Sequence, residues 1–308
     1  MVILIQTALL ILGFIMLVKG ADWFVEGTAG IAERFGIPQL VIGLTIVAMG
    51  TSAPETAVSI TAALKGSAAI SIGNVVGSNL LNVLIILGLT AVITPLTVAK
   101  STVKYEIPFM IAISFLFFGL CVTGNEIVLW EGVILWLAFI AYLAYLLVMA
   151  KKNKQEPEEE QKSPLWKLIL FTVVGIALII FGSDFTVDAA TKLATIFGMS
   201  ERFIGLTIVA LGTSLPELVT SVTAAIKGKA DIAIGNIVGS NIFNLLFVIG
   251  TSALITPVVF NPAFIFDMWA MIISGAVLWI FVLRKNILAR WSGIAMLAIY
   301  AAYFMYLI

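Results

Sequence analysis

The chain has no histidine, a single cysteine and little charge: of its 308 residues only 11% are Asp, Glu, Lys or Arg, while 61% are hydrophobic. The missing histidine removes the commonest protein ligand for zinc, copper or nickel and the usual proton carrier near neutral pH. It also rules out an HExxH protease site, and no paired-aspartate protease motif is seen, so an enzyme is not expected. One cysteine, Cys121, excludes an internal disulfide framework, and its place in an apolar run marks it as a small core residue. So few charges cannot clothe a water-soluble domain of this length.

Long apolar runs are what the chain has instead. A helix needs roughly 20 apolar residues to cross a bilayer core, and such runs recur from end to end. Only helices or closed barrels satisfy the backbone in lipid, so the expected fold is an all-α, polytopic membrane protein. Hydropathy places ten transmembrane helices near 2–18, 37–63, 68–95, 105–123, 127–149, 165–183, 199–225, 231–256, 265–283 and 288–307. The first run lacks a basic leader and a cleavage site, so it is read as a retained span. The one long polar stretch, Lys151 to Pro164, has no hydrophobic period and reads as a solvated linker. That divides the chain into a first repeat (1–149), a linker (150–164) and a second repeat (165–308).

Basic residues orient the spans. With the N-terminus outside, the inner connections hold 14 Lys and Arg, and the outer ones hold only Lys65, Lys192 and Arg202. The positive-inside rule therefore predicts a cell-membrane protein with both termini outside and the linker in the cytoplasm.

Segments 41–88 and 203–250 align without a gap at an offset of 162, with 30 of 48 positions identical. Each half then holds five spans. Five is odd, so the second copy enters from the opposite side, giving two inverted five-helix repeats. In this architecture the substrate site lies near the bilayer midplane where the copies meet.

The repeated residues are polar. Gly50-Thr51-Ser52-Ala53-Pro54-Glu55 is matched by Gly212-Thr213-Ser214-Leu215-Pro216-Glu217. Each proline deletes one helical hydrogen bond and frees the carbonyl four residues earlier, at Gly50 or Gly212, which is expected to point toward whatever Glu55 and Glu217 hold. In the following span Asn74, Ser78 and Asn82, and their copies Asn236, Ser240 and Asn244, share one helical face. Gly73, Gly77, Gly235 and Gly239 beside them permit close helix approach. A carboxylate inside a bilayer is costly unless paired or coordinated, and none of these four spans contains a basic partner. Two carboxylates with hydroxyl, amide and carbonyl oxygens, and no soft ligand, describe a hard-cation site. Other acids are expected elsewhere: Asp22, Glu26, Asp184 and Asp188 at span ends, and Glu106, Glu126, Glu131 and Asp267 near water without a repeat signal.

The GTSxPE elements at 50–55 and 212–217 and the GNxxGSNxxN elements at 73–82 and 235–244 resemble the two α-repeats of the sodium/calcium exchanger family, within the calcium/cation antiporters. The resemblance implies that Glu55 and Glu217 coordinate Ca²⁺ together with the Thr51 and Thr213 carbonyls. It implies Na⁺ sites using Ala48, Ser52, Ser78, Ala210, Ser214 and Ser240 with the same glutamates, and Asn82 and Asn244 are candidates in the same cavity. It further implies electrogenic exchange of three Na⁺ for one Ca²⁺, with Ca²⁺ and Na⁺ as substrates, lipid as the surroundings, no cofactor, no nucleic-acid partner and a monomer as sufficient unit. Potassium-dependent relatives carry an aspartate where this chain has Asn244, which argues against a K⁺ requirement. Proton-coupled relatives show a GNxxE-type repeat not present here. H⁺/Ca²⁺ antiport and K⁺-dependent antiport remain the alternatives, with a channel as a third class.

Overall fold

The computed structural model describes residues 2–65, 69–154, 163–198 and 210–307, and nearly all of them are helical. The helices are α1 (Val2–Phe35), α2a (Gln39–Thr51), α2b (Ala53–Leu64), α3 (Ile70–Ile93), α4 (Thr102–Gly124), α5 (Leu129–Lys152) and α6 (Leu165–Ile196). They continue as α7a (Ala210–Thr213), α7b (Leu215–Ile226), α8 (Ala230–Ile255), α9 (Ile265–Leu283) and α10 (Arg290–Leu307). Seven of them are long and apolar enough to cross a bilayer alone, and the bent pair α2a–α2b makes an eighth. The protein is therefore a multi-span helical membrane protein. Part of the seventh expected span, residues 199–209, lies outside the described residues.

The expected first and sixth spans end too early. Charges from Lys19 and Asp184 onward suggest the end of a buried segment, yet α1 and α6 run on for 34 and 32 residues. Asp22, Glu26, Asp184 and Asp188 consequently lie within helices rather than capping them, and charge is tolerated there because it finds partners or polar cavities. Asp22 meets Lys227 at 2.6 Å, and Lys229 meets Glu33 at 2.6 Å, tying α1 to the α7b–α8 connection. Arg34 donates to the Ser163 carbonyl beside the start of α6.

α1 and α6 lie antiparallel along one another. Gly13 sits against Gly182, Gly20 against Gly175 and Gly27 against Leu168, so one register falls as the other rises. A Cβ on Gly20 would lie 2.8 Å from the Gly175 carbonyl oxygen, so backbones touch where side chains would hold them apart. This pair is peripheral. Only 17% and 22% of their most apolar windows are buried, against 72% for α3 and 94% for α8, which form the core.

Two short antiparallel strand pairs fasten the outer helices. β1 (Leu96–Thr97) pairs with β4 (Ile287–Leu288), and β2 (Glu126–Ile127) pairs with β3 (Val258–Val259). Each pair joins a connection of the first half to one of the second. Three acids expected near water take part in structure instead. Glu106 is 1% exposed and bonded by Tyr145; Glu131 is 5% exposed and accepts from the Val128 N–H at the start of α5; Asp267 accepts from Tyr303 at 2.8 Å. Glu126 is exposed, as expected.

Replacing Gly20 by valine should overpack the α1–α6 contact and cost about 1–3 kcal/mol. A lowered thermal unfolding temperature in detergent is the expected result; an unchanged one would mean that the two helices do not depend on this contact.

Candidate cation site

Both broken helices are broken at serine. Ser52 and Ser214 depart from helical geometry (ψ 13° and 5°), and each is followed by a proline in the first turn of the next helix. Across the first break the backbone bonds run from Ser52 N–H to the Ala48 carbonyl and from Thr56 N–H to the Ser52 carbonyl. The expectation that Gly212 offers its carbonyl to a ligand needs correction, because Ser183 of α6 donates to that oxygen at 2.8 Å. A carbonyl freed by Pro216 has been taken up by a neighbouring helix.

Glu55 and Glu217 then stand in the first turns of α2b and α7b, both fully buried. Their hydrogen bonds cross between the halves. Ser52 Oγ donates to Glu217 Oε1 at 2.9 Å, and Ser214 Oγ to Glu55 Oε1 at 3.4 Å. Ser78 Oγ lies 3.5 Å from the same Glu55 oxygen. The second oxygen of each carboxylate, Oε2, is buried with no partner among the described residues. The two ion pairs found there, Lys227–Asp22 and Lys229–Glu33, lie elsewhere. Two acceptors of high charge are thus held out of water without a compensating donor, which is costly unless a cation supplies it.

The asparagines anchor the frame. Asn74 Nδ2 donates to the Glu55 carbonyl at 3.1 Å and to Ser59 at 2.9 Å; Asn236 Nδ2 donates to the Glu217 carbonyl at 3.4 Å and to Ser221 at 2.9 Å. Thr51 Oγ1 donates to Asn236 Oδ1 at 3.0 Å, and Ser240 Oγ to the Ala48 carbonyl at 3.3 Å. Sequence reasoning missed Asn79 and Asn241, which lie one residue off the expected face. Each donates to the other's carbonyl, at 3.2 and 3.3 Å, and each side-chain oxygen accepts from Asn244 or Asn82, at 3.2 and 3.0 Å. The clue was available, since both asparagines sit inside the repeated motif. The Asn82 and Asn244 amide nitrogens are spent in this ring, while their Oδ1 atoms are buried and unpartnered.

Backbone irregularity concentrates here as well. π-turns occupy Gly43–Val47 just before Ala48, Leu81–Leu87 around Asn82, and Asn244–Val248, a form frequent at functional sites. Glycine supplies the closest packing. A Cβ on Gly239 of α8 would meet the Leu44 Cα at 2.8 Å, so α2a lies directly on α8, and Thr51 at its end is fully buried. Thr213 is the opposite case. It lines two cavities of about 560 and 420 Å³, the first shared with Asn74, Ser78, Asn261 and Phe264, the second with Pro54, Asp184 and Asp188. The structure therefore brings together eleven of the twelve expected residues in one region of the broken helices and the core helices facing them; the twelfth, Ala210, opens α7a and its side chain lies outside the described residues.

Replacing Asn79 by leucine leaves the buried Asn244 amide without its acceptor and the Asn241 carbonyl without its side-chain donor, at about 1–3 kcal/mol each. The unfolding temperature of the purified protein should fall clearly; no change would mean that the asparagine ring does not hold α3 against α8.

Comparison with known proteins follows the same outline. A family described as "Sodium/calcium exchanger protein" matches residues 5–148 and 167–308. The chain is 39% identical over 273 residues to the inner membrane protein YrbG of Escherichia coli, covering 84% of this chain and 82% of that one. It is 32% identical over 342 aligned positions to the sodium/calcium exchanger MaX1 of Methanosarcina acetivorans, covering 98% of both. A solved structure of the sodium-calcium exchanger NCX_Mj, soaked with zero Na⁺ and Ca²⁺, superposes with a TM-score of 0.87 at 31% identity, covering 99% of this chain and 100% of that one. With the motif pair, the fold and these matches in agreement, the chain belongs to the sodium/calcium exchanger family of membrane cation antiporters.

Proposed function

We propose that this protein is a secondary-active antiporter that exchanges Na⁺ for Ca²⁺ by alternating access, and that the exchange is electrogenic. One observation carries the reading: Glu55 and Glu217 are fully buried, face no basic side chain among the described residues, and each keep one oxygen without a donor. Their two formal charges neutralise one Ca²⁺, held with the Thr51 and Thr213 carbonyls. Na⁺ ions occupy the same region through Ala48, Ala210, Ser52, Ser214, Ser78 and Ser240. Competition for one pair of charges couples the ions, so that exchange is favoured over leak. The free Oδ1 atoms of Asn82 and Asn244 supply neutral oxygen to an ion or its water. No third charge is available for K⁺ here, because position 244 is an amide already committed to Asn79. No cofactor is required, and a single copy in lipid holds all the named ligands.

The architecture proposed is ten spans in two inverted repeats, 1–149 and 165–308, joined by a cytoplasmic linker at 150–164. The antiparallel α1–α6 contact supports it, as do the strand pairs. The connection after α3 pairs with the one after α9, whereas the repeat relates it to the one after α8. Equivalent connections therefore fall at opposite ends of the bundle. The β1–β4 end carries Lys100, Lys104, Arg284, Lys285 and Arg290, whereas the β2–β3 connections carry no basic residue. By the positive-inside rule the β2–β3 end faces outside and both termini lie there. The larger cavity at Thr213 is bounded by Asn261 and Phe264, next to β3. This favours an outward-facing state, sealed inside by α2a on Gly239.

The test is a ⁴⁵Ca flux assay in proteoliposomes under separate Na⁺, K⁺ and pH gradients. An outward Na⁺ gradient should drive Ca²⁺ uptake without K⁺, move net charge and be abolished by Glu55→Gln or Glu217→Gln. Uptake driven by a pH gradient and indifferent to Na⁺ would replace this reading with proton antiport.

A further inference from the structure

A second buried carboxylate lies well away from the cation site. Glu106, in the first turns of α4, is 1% exposed, and Tyr145 of α5 donates to its Oε1. Its Oε2 has no partner, and neither does the hydroxyl of Tyr142, which is 3% exposed. Both border a cavity of about 530 Å³ with Lys104, Tyr105, Phe109 and Ala141. That volume falls in the range of roughly 300–1,000 Å³ usual for small-molecule sites.

The repeat shows how the cavity arises. Leu96 and Val258 occupy equivalent strand positions 162 residues apart, but Ile127 and Leu288 are 161 apart, so α4 holds one residue more than its counterpart. The extra residue is absorbed in a π-turn over Thr102–Glu106, immediately before Pro108. Pro108 has no N–H to return to this turn, and the Val103 carbonyl accepts from Trp279 Nε1 at 2.8 Å instead. Beyond the turn, Glu106, Tyr142 and Tyr145 correspond to Asp267, Tyr303 and Tyr306. The acid–tyrosine pair is thus repeated after all, hidden from a fixed offset by one residue. In the second half the pair is closed, since Tyr303 itself donates to Asp267 at 2.8 Å. In the first half the longer acid bonds Tyr145 instead, leaving the Tyr142 hydroxyl and one carboxylate oxygen facing a cavity.

The mouth of this cavity is apolar and exposed. Ala141 and Tyr145 lie on the α5 face that also presents Leu137, Ile140, Leu147 and Val148, which is the face lipid covers. Lys104 is exposed at the rim over the Tyr105 ring, with no ion pair among the described residues. Lys104 stands at the exposed rim, the Glu106 carboxylate and the Tyr142 phenol are buried, and Tyr105, Phe109 and the exposed Ala141 complete the lining. We propose that this cavity binds an aminophospholipid. Its phosphate meets Lys104, its primary ammonium meets Glu106 Oε2 and the Tyr142 hydroxyl, and its chains run down the outside of α4 and α5. A primary ammonium supplies the N–H donors that both free oxygens lack. A quaternary ammonium has none and would need open aromatic faces, but Phe109 and Tyr142 are stacked on each other at 5.6 Å. An anionic headgroup without an amine would face the Glu106 carboxylate with nothing to offer it.

Native mass spectrometry of the full-length protein decides it, with phosphatidylethanolamine, phosphatidylcholine and phosphatidylglycerol of identical chains added in turn. Phosphatidylethanolamine should bind in preference, Glu106→Gln should weaken it about tenfold, the value of one charge-assisted hydrogen bond, and Tyr142→Phe should weaken it less. Ala141→Phe fills the cavity without altering the carboxylate and should remove the preference, so the proposal stays testable even if Glu106→Gln fails to fold. Equal binding of the three lipids, a preference for phosphatidylglycerol, or a preference unmoved by Ala141→Phe would overturn it and leave Glu106–Tyr145 a clamp between α4 and α5. Displacement by water-soluble phosphoethanolamine would overturn the lipid as occupant.

Discussion

Ser52 of one half donates to Glu217 of the other, and Ser214 returns the bond to Glu55. Each hydroxyl satisfies one carboxylate oxygen and leaves its twin bare. Two bare acceptors of like charge in a dry interior are unfavourable for the protein alone, so the surrounding structure must hold them in place, and under the proposed function a cation makes good the deficit. That requirement accounts for much of what lies around them. The helices carrying the glutamates are interrupted, the helices facing them are the most buried, and the asparagines form closed pairs across the junction.

Interruption and support are linked physically. A proline in the first turn of α2b or α7b opens the backbone at the serine before it, and every opened carbonyl inside a membrane protein must find a use. Ser183 claims one of them, from Gly212. Ser240 donates to the Ala48 carbonyl, which also accepts from the Ser52 N–H at the break. The same accounting explains the π-turn before Pro108, whose loosened Val103 carbonyl is taken by Trp279.

Pseudo-symmetry makes the site, and departures from it make the differences between its two sides. Thr51 and Thr213 occupy equivalent positions, yet Thr51 at the end of α2a is fully buried against α8 while Thr213 borders open cavities. No local sequence preference distinguishes them, because their flanking residues are nearly identical. The difference is one of packing between halves. The peripheral α1–α6 pair is little buried along its most apolar stretches, and the ion pairs Asp22–Lys227 and Glu33–Lys229 join α1 to the α7b–α8 connection.

The membrane setting, the internal repeat, the two glutamates and most of their neighbours could be read from the chain by itself, because bilayers impose length and apolarity on helices and because a carboxylate among apolar residues is too costly to be incidental. Three things needed the tertiary structure. The length of α1 and α6 did, since Asp22 and Glu33 of α1 find their partners on the distant α7b–α8 connection and Asp184 and Asp188 of α6 border a cavity. The asparagine ring did, since Asn79 and Asn241 bond across halves distant in sequence. The acid–tyrosine pairs did most of all. One extra residue in α4 breaks the fixed offset, and only strand pairing and the π-turn show where the register is lost and regained. Periodicity and composition report what each segment needs from its surroundings; which segment meets that need is settled by packing between elements far apart in the chain.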